Sequence, residues 1–331
     1  MSLPLHIRDM QLRSRVLVAP MSGVTDLPFR KILQQFQPGL VVSEMVAGEG
    51  LVRGNPDSVS RAAGGAALDP LAIQLVGRKP HWMAQGAKLC EAAGAQIIDI
   101  NMGCPARKVT TGLSGSALMR EPKLALEIIQ SVVDAVEVPV TLKTRLGWDD
   151  DSLNAAEICA AAEDAGVEMF VIHGRTRCQF YKGEADWGAV GAVVEAVDKP
   201  VFVNGDIHTP DQAVEAMQQS GADGVMLGRA LVGQPWVLRD VMARVDGFSA
   251  PEPLSAQAKA EVALAHYNEL ITFYPEAKGL RIARKHLAGY CDGAGLAKTD
   301  PRRGQICRSV NVDEVRAMLT DIFLRPESAA A

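Results

Sequence analysis

The chain has 331 residues, 48% of them hydrophobic and 22% charged, which is long enough to bury a large core and too apolar for a disordered polymer. A formal net charge of −5 excludes a globally basic nucleic-acid binder, so any contact with a polyanion needs a local basic surface. The opening residues MSLPLHIRDM place Arg8 and Asp9 where a secretion signal needs an apolar core, and no run of about 18 apolar residues follows, so a cytoplasmic protein with no membrane partner is expected. Six cysteines without a C-x-x-C pair point to no zinc or iron–sulfur site, and no metal is expected.

Short apolar runs rich in Val and Ile alternate along the chain with longer, Ala-rich stretches of helical period. Eight such runs occur: Val16–Ala19, Leu40–Ser43, Leu71–Leu75, Ile97–Ile100, Val138–Leu142, Met169–Ile172, Val201–Val203 and Gly224–Leu227. Continuous apolar character means strands buried on both faces, the pattern of a parallel sheet covered by helices. Eight repeats without G-x-G-x-x-G favour an α/β fold of the closed (β/α)₈ TIM-barrel type over an open doubly wound sheet.

The repeats end near Val245, where DGFSAPEPLS (246–255) breaks the helical pattern. Amphipathic spacing then predicts helices over Ala256–Tyr274, Lys278–Tyr290 and Val312–Phe323. The reading is a catalytic barrel over 1–245 and a small C-terminal helical domain over 246–331. Residues 250–331 carry a net charge of +1, against −6 for the preceding part.

Chemistry in such a barrel sits at the C-terminal ends of the strands, and those positions here are polar. Pro20, Met21 and Ser22 follow the first run, Gln74 lies in the third, and Asn101 and Cys104 follow the fourth. Lys143 and Arg145 follow the fifth, His173 and Arg175 the sixth, Asn204, Gly205 and Asp206 the seventh, and Gly228 and Arg229 the eighth. The last two ends read as a phosphate cradle, in which Gly205 and Gly228 allow close approach and Arg229 adds a charged fork. Lys143 is a cation suited to charge developing on an electron-rich cofactor, and a flavin fits that description.

The strings VLVAPMSGVTDLPFR, DINMGCPARKV, TLKTRLGW, VIHGRTR, VNGDI and VMLGRALVGQPW resemble the tRNA-dihydrouridine synthase family, and AKGLRIARKHLAGY resembles the helical domain of its bacterial B-type branch. The resemblance runs from about Leu12 to Tyr290. It implies FMN as cofactor, NADPH as electron donor and a uridine in the D-loop of tRNA as substrate. It places Pro20, Met21, Ser22, Gln74, Lys143 and His173 around the flavin ring, and Asn204, Gly205, Asp206, Gly228 and Arg229 at the ribityl phosphate. Asn101 and Arg145 would contact the uracil, and Cys104 would be the proton donor.

Saturating the C5–C6 bond of uracil needs a hydride and a proton, so a flavin and a protonated thiol are a sufficient pair. A base stacked in folded tRNA must also flip out to reach a barrel mouth, at a cost offset by contacts elsewhere on the RNA. Arg175 and Arg177 after the sixth run, and Lys278, Arg281, Arg284, Lys285 and His286 in the helical domain, are the candidate RNA-facing cations. Two rival readings are a flavin-dependent dehydrogenase of free pyrimidines, against which the appended helical domain argues, and a non-catalytic RNA-binding or regulatory protein that keeps the scaffold, against which Cys104 and Lys143 argue.

Overall fold

The computed structural model describes residues 4–325; the first three residues and the last six of the expected 246–331 domain lie outside them. Eight parallel strands form the barrel: β1 (Val16–Val18), β2 (Leu40–Val42), β3 (Leu71–Val76), β4 (Ile97–Asn101), β5 (Val140–Arg145), β6 (Met169–His173), β7 (Val201–Asn204) and β8 (Gly224–Leu227). Each pairs with its neighbour in sequence, and the sheet closes where β8 meets β1, with Val225 opposite Val16 and Leu227 opposite Val18. This is the expected (β/α)₈ barrel.

Side chains sort by the two-residue period of the strands. Val18, Val41, Ile73, Ile98, Leu142, Ile172, Val203 and Leu227 face outward into the core shared with the surrounding helices. Leu17, Leu40, Ala72, Ile97, Met169, Phe202 and Met226 face inward and fill the barrel. A two-stranded hairpin (His6–Ile7 and Met10–Gln11), not anticipated from the sequence, adds Ile7 and Leu12 to that inner core.

Several strands run further than their apolar runs. The fifth was expected over Val138–Leu142, but β5 begins at Val140 and continues through Lys143, Thr144 and Arg145. Strands β4, β6 and β7 likewise end on Asn101, His173 and Asn204. Polar side chains are tolerated there because they turn into the mouth and pair with one another, while the backbone stays in the ladder.

After β8, a helix over Val237–Asp246 ends at Gly247 in the left-handed conformation. Four further helices follow: Ala256–Phe273, Glu276–Gly293, Pro301–Arg308 and Val312–Leu324. The third was not anticipated. Their common core of Tyr267, Leu270, Tyr290, Leu319 and Phe323 takes in Trp236 from the barrel side. Gly289 and Gly293 lie one turn apart and let this unit press onto the loop after β8; a Cβ on Gly293 would lie 2.2 Å from the Gly233 carbonyl oxygen.

Candidate active site

The polar strand ends converge on one cavity of about 380 Å³ at the C-terminal end of the barrel. Pro20, Met21 and Ser22 border it from the loop after β1, and Gln74 from β3. Asn101 and Cys104 close one side, with Lys143 and Arg145 beside them on β5. His173, Asn204, Gly205 and Asp206 follow, and Gly228 and Arg229 complete the circuit.

A hydrogen-bond chain crosses the floor. The Asp99 carboxylate, which sequence reasoning passed over inside an apolar strand, accepts from Thr141 Oγ1 at 2.7 Å and from Gln74 Nε2 at 2.6 Å. Gln74 Oε1 accepts from Asn101 Nδ2 at 2.7 Å, and Asn101 Oδ1 accepts from the backbone N–H of Cys104 at 3.0 Å. Burial pushes the Asp99 carboxyl up to about 6, against the hydrogen bonds from Thr141 and Gln74.

Lys143 Nζ donates to Asn204 Oδ1 at 2.9 Å, and Asn204 Nδ2 donates to the Met226 carbonyl at 2.8 Å. Burial, aided by the nearby Arg145 charge, brings the Lys143 ammonium down to about 8. Burial and the surrounding cations Arg145, Lys143, Arg175 and Arg229 hold His173 well below the ordinary imidazole range, so it is neutral at physiological pH. Burial raises the Cys104 thiol, and the Ala106 N–H and the charges of Arg145 and Lys143 only partly oppose it. The thiol is therefore protonated at neutral pH, as a proton donor must be.

Arg145 borders the cavity but is nearly fully buried, and its Nε and Nη1 are spent on backbone. They donate to the carbonyls of Gly103 (2.8 Å), Thr176 (3.0 Å) and Phe180 (2.9 Å), tying the Cys104 loop to the loop after β6. Tyr181, on that second loop and half exposed, sets its ring 5.5 Å from both the Arg145 and the Arg229 guanidinium. It was missed in the sequence, where a loop aromatic carries no pattern.

The reading of Arg175 as an RNA-facing cation is corrected. Its side chain is 2% exposed and is spent on the Asp206 carboxylate and the carbonyls of Lys182 and Gly183. A cation placed behind the site with all its bonds internal cannot meet a phosphate. Asp206 accepts from Arg175, from Arg229 Nη2 at 2.8 Å and from the Ala185 N–H at 3.0 Å. Partial burial opposes its ionisation, but the bonds from Arg175 and Ala185 outweigh it and hold the carboxyl below its usual range. A carboxylate so held would repel an anion, and its ion pair ties Arg229 to the cavity rim.

The Arg177 guanidinium sits over the Trp148 ring, 4.6 Å from its centre, and that of Arg120 lies over the same ring at 4.9 Å. In the helical unit Arg281 and Arg284 are exposed, whereas His286 is buried against Phe29 and His266 and leaves the expected basic cluster. Lys285 Nζ donates to the Gly23 carbonyl, and Lys278 lies 4.0 Å from Asp57 and 5.1 Å from the Tyr274 ring. These two lysines face the barrel junction.

Barrel, polar mouth and paired cations define a cofactor-binding (β/α)₈ enzyme rather than a passive scaffold. Solved structures share the barrel: 2-naphthoyl-CoA reductase in complex with 2-naphthoyl-CoA at a TM-score of 0.56 and 12% identity, covering 74% of this chain and 52% of that one. Histamine dehydrogenase from Rhizobium sp. 4-9 gives 0.53 and 13% identity over 80% of this chain and 50% of that one. The family model "Dihydrouridine synthase (Dus)" matches residues 17–325. A probable tRNA-dihydrouridine synthase of Rhodobacter capsulatus is 48% identical over 98% of this chain and 99% of its own length, and one of Rhizobium leguminosarum is 48% identical over 94% and 95%. The tRNA-dihydrouridine synthase B of Vibrio parahaemolyticus is 42% identical over 86% of this chain and 89% of its own. The chain belongs to the dihydrouridine synthase family and is a flavin-dependent oxidoreductase.

Proposed function

We propose that this protein reduces a D-loop uridine of tRNA to dihydrouridine, with FMN as resident cofactor and NADPH as electron source, in the cytoplasm. The observation that carries the reading is the convergence, in one cavity, of a thiol kept protonated and a set of donors around it: Gln74, Asn101 and Lys143.

The residues fit FMN. Met21, Met45 and Met226 give apolar wall for a planar ring, Gln74 and Lys143 give donors for its polar edge, and Arg229 waits at the rim for a single phosphate. A Cβ at Gly205 would lie 2.7 Å from Ala185 Cβ and 3.0 Å from His173 Cδ2, so only glycine keeps that stretch of wall in place. Held by these residues, FMN would supply hydride chemistry toward C6 of the uracil. Cys104 Sγ holds the proton delivered to C5, and burial of the thiol keeps that proton in place at neutral pH. Asn101 fixes the Cys104 backbone, and Arg145 fixes the two loops that shield the base from water. Lys143 offers a positive charge to the reduced ring edge, and His173 stays neutral beside it. Arg281 and Arg284 of the helical unit give the exposed cations for tRNA phosphates.

The test is incubation of the purified yellow protein with NADPH and tRNA lacking dihydrouridine, followed by mass spectrometry of the D-loop. A two-hydrogen gain on one uridine supports the reading. Reduction of free uridine but not of tRNA would replace it with a free-pyrimidine dehydrogenase.

A further inference from the structure

We infer that Asp99 is a positioning residue that sets the donor polarity of the cavity floor and thereby holds both Gln74 and the Cys104 loop in their working orientation. The inference deepens the proposed reaction and rests on it.

An amide side chain can point either its oxygen or its nitrogen at a neighbour, and only the network decides. Asp99 is 2% exposed and, when ionised, accepts at both oxygens and donates at neither. Thr141 occupies Oδ1, so Oδ2 forces Gln74 to present Nε2. Gln74 Oε1 must then take Asn101 Nδ2, and Asn101 Oδ1 must take the N–H groups of Gly103 (3.3 Å) and Cys104. Each link admits one orientation once the carboxylate is fixed. The chain uses one N–H of each amide, and both residues border the cavity, so each has a second N–H for the carbonyl oxygens of a flavin or a uracil. Reversal would offer Gln74's oxygen to those carbonyls and set Asn101's NH₂ against the Cys104 N–H, two repulsions at the reacting end.

Asp99→Asn keeps the shape and removes the compulsion. The new amide can still accept from Gln74 if its NH₂ donates to the Thr141 hydroxyl; with Thr141→Val that partner is gone, and the NH₂ is driven toward Gln74 Oε1. Burial raises the Asp99 carboxyl, with Lys143 the charged group bearing on it and Thr141 and Gln74 its hydrogen-bond donors. The enforcing carboxylate is therefore present above about pH 6 and lost below it.

The experiment compares the flavin-loaded wild type, Asp99→Asn, Thr141→Val and the double variant. Three quantities are read: the flavin absorption band, the rate of Cys104 alkylation by iodoacetamide at neutral pH, and single-turnover reoxidation of the reduced protein by tRNA. Thr141→Val alone should slow reoxidation less than about threefold, and the double variant at least about tenfold beyond the product of the single effects. The band and the alkylation rate should shift with it. Multiplicative effects with an unchanged band and alkylation rate overturn the inference. Should the double variant fail to fold or load, Thr141→Val alone decides: with no hydroxyl to take the bond of a protonated Asp99, its reoxidation rate should rise across about pH 6 more steeply than the wild type's, and a Thr141→Val profile no steeper than the wild type's overturns the inference. If the wild type reduces no tRNA uridine, the functional reading fails, while band and alkylation still judge Asp99.

Discussion

Lys285, on the helix Glu276–Gly293, donates its ammonium to the carbonyl of Gly23, which follows Pro20, Met21 and Ser22 in the loop along the cavity wall. A second tie lies beside it, where the Tyr274 hydroxyl donates at 3.0 Å to the Asp26 carboxylate that caps the barrel helix Leu27–Gln34. The helical unit thus braces the site as well as extending it.

Removing the brace should loosen the flavin. Lys285→Ala is expected to weaken FMN binding about fivefold, the scale of one exposed charge-assisted hydrogen bond, with the fold intact. Fluorescence titration of the flavin-free protein reads it. Unchanged FMN affinity would show that the Gly23 loop holds itself.

Arg281 and Arg284 should behave differently because they are exposed and three residues apart on one helix face. Arg281→Glu with Arg284→Glu should weaken tRNA binding and flatten its salt dependence by about one log unit per lost contact, leaving flavin content alone. A salt series of tRNA affinities measures this. An unaltered slope would move the RNA surface elsewhere.

The two arginines on Asp206 separate stability from cofactor binding. Asp206→Asn strips buried Arg175 of its charge partner and should cost about 2–3 kcal/mol, below the fully buried range because the carboxylate is partly exposed. Arg229→Ala, whose side chain is 56% exposed, should leave denaturant stability within about 0.5 kcal/mol yet lower flavin retention. Equal losses of stability in both variants would contradict this division.

The raised thiol sets a pH signature. A donor whose pKa lies above the ordinary thiol value is fully protonated at neutral pH and loses its proton only as pH climbs past that raised value. Alkylation of Cys104 by iodoacetamide, which reads the thiolate directly, should therefore stay slow from neutral pH through the ordinary thiol range and quicken only beyond it. Reoxidation by tRNA carries in addition the loss of the Lys143 charge at about pH 8, so the alkylation profile is the one that checks the thiol; alkylation already fast at neutral pH would mean a depressed thiol.

The barrel was legible because inward and outward strand residues are nearly all apolar low in the barrel, and the polar ends stood out against them. The fourteen cavity residues named from sequence do meet in one cavity, yet their partners were hidden. Asp99 sits within the string IIDIN, where a lone acid gives no sign of its bond to Gln74, twenty-five positions away. Arg175 looked like surface charge in HGRTR because the sequence does not show that Asp206 and two carbonyls enclose it. The run RIARKH read as one basic face, but the turn of the helix buries His286 and aims Lys285 at Gly23, leaving Arg281 and Arg284 outside.

The account turns on Cys104 as the acid of the uridine-reducing step alone, and separating the two half-reactions of Cys104→Ala tests it most directly. Reduction of the bound flavin by NADPH should proceed within about twofold of the wild type, and reoxidation by tRNA should slow by about 10²-fold or more, the usual scale for a lost general acid. Equal slowing of both half-reactions, or an undiminished rate of reoxidation by tRNA, would contradict the role of the thiol and with it the reading of the site.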